Sequence, residues 1–170
     1  MLVATATTGG PMCWRCDHPE ATLEEYLDLL YEQILENGWT MLYIEATPTP
    51  FAYTLGLHEC GLPELLVTAV CPHCATRMLN HVASVLIRED APPAGRRMTL
   101  PDGQLVEFVE VSQPDAHLGT AVNMFGREVR ALQVVWADAN GRWPWSPLFN
   151  PGGDRQPVLG MRAITSKRRR

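Results

Sequence analysis

At 170 residues, with 46% hydrophobic and 19% charged side chains, the chain suits one domain with its own core and is too apolar for global disorder. No apolar run reaches the ~18–20 residues of a bilayer span, and Met1 to Met12 lacks the basic and apolar regions of a secretory signal, so a cytoplasmic protein with no membrane partner is expected. Net charge is −5 although Lys167–Arg170 form a basic cluster, so the body is more acidic still and should repel nucleic-acid phosphates.

In chain order, residues 1–12 are Thr-, Ala- and Gly-rich and read as a disordered segment, 13–160 as a single domain, and 161–170 as a basic tail. Cys13-Trp-Arg-Cys16-Asp-His18-Pro19 opens the domain. Thr22 followed by Glu25 is a capping box, and Leu23, Tyr26, Leu27, Leu30 and Ile34 share one face, which predicts a helix over 22–37 ended by Gly38. Its outer face carries Glu24, Glu25, Asp28, Glu32 and Glu36, the pattern of a solvated acidic surface or of one meeting a basic partner.

Trp39 to Glu45 has strand composition. The central stretch, Phe51 to Arg88, reads as strand, tight loop at Gly61 and Pro63, buried strand, Cys71-Pro-His-Cys74 turn and helix over 74–88. Arg97 to Leu100 and Leu105 to Val111 predict a hairpin turning at Pro101-Asp-Gly103. A short helix within Pro114 to Phe125 and a strand over Val129 to Trp136 follow, then a turn at Asp138 to Gly141. Strands outnumber helices and no regular β-α alternation is present. The expected class is α+β, a largely antiparallel sheet with the two main helices packed on one face.

Five segments taken together resemble a known family: Cys13-x-x-Cys16-Asp-His-Pro19, Phe51-Ala-Tyr-Thr-Leu-Gly-Leu57, Gly61-Leu-Pro-Glu-Leu65, Arg130-Ala-Leu-Gln-Val-Val-Trp136 and Gly141-Arg-Trp-Pro-Trp145. In this order, from Cys13 to Gly160, they are similar to the bacterial DUF4262 family. The resemblance implies a compact domain and supplies no reaction. In that family the position of Cys71 to Cys74 is commonly a proline-containing turn without cysteines.

Three chemistries are open to these residues. With five cysteines and no export signal, thiols or a metal are expected rather than a disulfide framework. Cys13/Cys16 and Cys71/Cys74 have the spacing by which two turns offer four thiolates to one zinc, with His18 as a spare nitrogen donor. Such a site would make a zinc-stabilised interaction module, provided the fold closes the long gap between the pairs. Cys71-Pro-His-Cys74 at a helix start also fits a thiol-disulfide oxidoreductase, since a helix N-terminus stabilises a thiolate, but the βαβ unit usual upstream of such a motif is missing. Tyr53, His58 and Glu64 are candidates to line a pocket at the loop end of two strands, and Glu64 has the alternative of capping that loop through backbone N–H groups. Cys60, His58 and Glu64 supply the residue types of a nucleophilic triad, but Gly61 turns the chain among them, so chance co-occurrence is the better account. Trp143 and Trp145 bracket a proline, as in an aromatic platform or a closed core edge. No phosphate-binding glycine loop occurs. The leading expectation is an accessory domain binding a small molecule or a protein, with the oxidoreductase and the zinc module as alternatives.

Overall fold

The structure is a computed structural model, and the residues described are 18–45, 47–153 and 155–163. The Cys13/Cys16 pair and the basic cluster Lys167–Arg170 therefore lie outside the described residues. The chain forms two compact units, 1–40 and 41–170.

The first unit holds helix α1, Leu23–Asn37. Its capping box is present: the Glu25 backbone N–H donates to Thr22 Oγ1 at 3.2 Å and the Thr22 N–H to Glu25 Oε2 at 2.7 Å. These bonds satisfy N–H groups that the first turn leaves without helical partners. Gly38 takes φ +85°, a left-handed conformation open to glycine, and its N–H caps the Ile34 carbonyl. Leu30 and Ile34 are buried, whereas Leu23 is exposed, so the apolar stripe begins later than its spacing implies.

The second unit is built on a six-stranded sheet. Its strands are β1 (Thr40–Ile44), β2 (Phe51–Leu55), β3 (Glu64–Thr68), β4 (Arg97–Thr99), β5 (Leu105–Glu110) and β6 (Ala131–Trp136), in the spatial order β1-β2-β3-β6-β5-β4. Pairs β2/β3 and β4/β5, each joined by a short connection, are antiparallel as expected, and β5/β6 is antiparallel as well. The β3/β6 pair is parallel, so the sheet is mixed. Short turns dictate hairpins, but β6 reaches β3 after a long excursion whose partner no local signal specifies.

Helix α2, Pro72–Leu86, runs against β2 and β3 and buries Ala75, Met78, Leu79, Val82, Ala83 and Leu86. These are the positions of one helical face. The single short helix expected near 114–125 is two, α3 (Pro114–His117) and α4 (Gly119–Phe125), interrupted at Leu118. Between β2 and β3 the expected loop is a turn of 3-10 helix, Leu57–Cys60.

Strand alternation and register put Thr68, Gln133 and Glu107 on one sheet face, all three buried. A strap following the last strand, Arg155 to Ala163, supplies their partners. The Pro157 carbonyl accepts from Thr68 Oγ1 (2.8 Å) and Gln133 Nε2 (2.7 Å), and the Leu159 N–H donates to Gln133 Oε1 (2.7 Å). Gln156 exchanges two bonds with the backbone of Trp136, and the Arg162 guanidinium donates to Glu107. At Gly160 a Cβ would overlap the Glu110 carbonyl oxygen, so only glycine lets the strap lie this close.

Candidate functional site

The carboxyl end of β3 passes directly into α2, and this junction holds Cys71 and Cys74. Thr68 ends the strand; Ala69 follows at φ +57°, a left-handed conformation uncommon for a residue with a side chain. Three hydrogen bonds hold the bend. The Ala69 N–H donates to the Pro50 carbonyl (2.9 Å), the Trp136 indole N–H to the Thr68 carbonyl (3.0 Å), and the Tyr43 hydroxyl to the Val70 carbonyl (2.8 Å).

Cys71 is the N-cap of α2. Its sulfur accepts the Cys74 N–H at 3.3 Å, the role usually taken by a serine or aspartate oxygen, and Pro72 at the first helical position has no N–H to leave unpaired. The two sulfurs lie 2.9 Å apart, within hydrogen-bonding distance. Both thiols are free; Cys71 is exposed and Cys74 half-buried. The Cys74 thiol, the Cys74 N–H and the His73 N–H draw the Cys71 thiol below its ordinary pKa. Cys74 is pushed the other way, by its hydrogen bond to Cys71 and by burial. Two adjacent thiols therefore have opposite tendencies: one is inclined to ionise and the other to stay protonated.

The remaining expected site residues lie on several elements. Glu64 is fully buried at the start of β3, where it takes up the Thr54 hydroxyl (2.6 Å) and the N–H groups of Gly56 (2.9 Å) and His58 (3.1 Å). Burial pushes its carboxyl up, while those donors pull it back. It caps the loop, as one of its two expected roles required. Tyr53 is buried on β2 with a bond to Thr120, and burial raises its phenol. His58 stacks on Phe125 and lines a small cleft of about 120 Å³ with Gly61, Leu62, Pro63, Glu128 and Arg130. That cleft lies by the amino ends of β3 and β6, where Arg130 precedes β6 and its carbonyl accepts the Glu64 N–H.

Trp143 and Trp145 stack with centroids 5.4 Å apart and ring planes 8° from parallel. Arg97 covers the Trp143 ring at 4.8 Å and Arg162 the Trp145 ring at 4.1 Å. Both guanidinium groups also grip Glu107, so arginines of the same chain lie over both rings. Glu107, Arg97 and Arg162 carry no sequence motif; only register and the strap bring them together.

Among the described residues, no group of three or more His, Cys, Asp or Glu is arranged to hold a metal. Cys13 and Cys16, half of the expected zinc set, are outside the described residues, and His18 is exposed. No described helix is long and apolar enough to cross a membrane.

No curated protein and no solved structure matches the chain. A family model described as "Domain of unknown function (DUF4262)" matches residues 33–150. That span is narrower at both ends than the resemblance noted above: it excludes the Cys13/Cys16 pair and the strap, and includes Cys71 to Cys74. It covers well over half of the sequence, and the chain belongs to the DUF4262 family.

Proposed function

We propose that this chain is a thiol-disulfide exchange protein in which Cys71 attacks and Cys74 resolves. The supporting observation is the pair of sulfurs 2.9 Å apart at the capped start of a 15-residue helix, the first exposed and the second half-buried. The Cys71 thiolate attacks one sulfur of a substrate disulfide; a Cys71–substrate S–S bond forms, the substrate S–S bond breaks, and a thiolate leaves and is protonated. Cys74 then gives up its proton and attacks Cys71 Sγ, forming the internal disulfide and releasing the second substrate thiol. The substrate gains two electrons, the protein loses two, and an external dithiol or thiol reductant restores the pair. A reducing compartment such as the cytoplasm is the setting that this direction requires.

The test is thiol trapping on the whole protein. Cys71 should alkylate with a pH midpoint below the ~8.5 of a free cysteine, and the peptide carrying both cysteines should cycle between dithiol and disulfide in a glutathione buffer. Cys74→Ser should accumulate a mixed disulfide on Cys71. An ordinary midpoint together with no reversible disulfide overturns the reading. Stoichiometric zinc in the purified protein, lost in Cys74→Ser, would instead favour the zinc module.

Binding of a small polar molecule at the His58 cleft comes second. Glu128 and Arg130 give it both charge signs, but at about 120 Å³ it is well below the ~300–1,000 Å³ of ordinary ligand pockets.

A further inference from the structure

The backbone entering the Cys71 N-cap bends through a left-handed alanine, a conformation that persists only where its surroundings impose it. Two of the three bonds that hold it come from aromatic donors on other strands, Trp136 on β6 and Tyr43 on β1. Trp136 holds the carbonyl of Thr68, at the end of β3. Tyr43 holds that of Val70, the peptide unit joined directly to Cys71.

We infer that Tyr43 is a positioning residue for the Cys71–Cys74 pair, its phenol fixing the Val70 carbonyl so that the Cys71 sulfur stays on the Cys74 N–H. This rests on the thiol-disulfide reading. A carbonyl oxygen is the negative end of a peptide dipole, and one free to turn beside a thiolate would oppose ionisation; a phenol O–H satisfies that oxygen and stops its rotation. Burial raises the Tyr43 phenol, and Glu45, just past the end of β1, and the nearby Cys71 and Cys74 push it the same way. From α2, His73 contributes a backbone N–H to the Cys71 sulfur, and Arg77 lies one turn beyond Cys74, paired to Asp102 of the β4–β5 turn at 2.7 Å. Tyr43 is thus the group from outside the α2 segment that is bonded to the peptide preceding the reactive sulfur.

Tyr43→Phe keeps the ring and removes only the donor. With the Cys71 thiolate less well held, the reduced form loses stability and the pair oxidises more readily. The equilibrium constant for oxidation by glutathione, read by mass spectrometry on the peptide containing both cysteines, should rise about three- to tenfold, the effect of one lost hydrogen bond. A thermal melt of the same variant separates this from a general loosening. A purely structural role would lower the melting temperature and leave the redox equilibrium unmoved, and that outcome overturns the role of Tyr43 alone. A wild-type protein that forms no reversible Cys71–Cys74 disulfide overturns both the reading and the inference.

Discussion

Two glutamates show how little a buried carboxylate's identity says about its role. Glu64 and Glu107 are both all but inaccessible to water, at 0% and 1% exposure. Glu64 is ringed by a hydroxyl and backbone N–H groups, so it serves a loop. Glu107 is gripped by Arg97 and Arg162, so it ties a hairpin to the strap. Burial pushes the Glu107 carboxyl up, but the bonds from Arg162 and Arg97 outweigh it and hold the group below its ordinary range. A carboxylate depressed in the folded state adds stability above its unfolded pKa of ~4.3, and that contribution is lost as pH falls through the folded value. The arginines are 54% and 40% exposed, so solvent screens part of the attraction. Glu107→Gln should therefore be less stable than wild type by about 1–3 kcal/mol at neutral pH, with the gap closing below about pH 4. Urea unfolding at a series of pH values measures this; a gap independent of pH would mean that Glu107 acts through packing alone.

At the scale of elements, what the sequence shows plainly is whatever depends on near neighbours. The capping box at Thr22, the 101–103 turn and the apolar face of α2 each lie within a few residues and are read directly. Leu79 is fully buried on that face, and Leu79→Ala should cost about 2–5 kcal/mol in chemical denaturation. A loss under ~0.5 kcal/mol would show that α2 is not a packing element. The parallel meeting of β3 with β6 was not legible, because a run such as Ala131-Leu-Gln-Val-Val-Trp136 satisfies either strand direction equally. The site follows the same division. The Cys-x-x-Cys spacing and its place before a helix are local, whereas Tyr43 and Trp136 reach the bend from far along the chain and carry no mark in their own surroundings. Trp143 and Trp145 form an aromatic pair, as their spacing suggests, but the arginines set over their rings come from residues 97 and 162.

For the second unit, 41–170, the segment that completes the sheet lies outside the part by which the family is recognised. The family match ends at residue 150, yet Thr68, Gln133 and Glu107 within it find partners in residues 157–162. Gly160→Ala offers a direct probe, since its methyl would collide with backbone rather than with a side chain able to move. It should cost about 1–3 kcal/mol, as overpacking does, and should speed amide exchange at Ser112 and Leu159, whose N–H groups are held on the strap side. Unchanged exchange at both amides would show that the strap tolerates the methyl by shifting as a whole.

The strap also bears on the order in which the chain is made. Synthesis runs from the amino end, so residues 157–162 are made after all six strands and are the last of these segments to emerge. Until then Gln133 has its bond to Thr68 and Glu107 its bond to Arg97, but the bonds that the strap supplies are unmade, and a sheet that closed early would leave both groups incompletely paired. This unit is therefore expected to mature late, with the emerging strap converting a loosely held sheet into a fixed one. A released chain that stops before residue 156 would stay in that form, with polar groups of the sheet open to whatever extended segment a neighbouring chain presents.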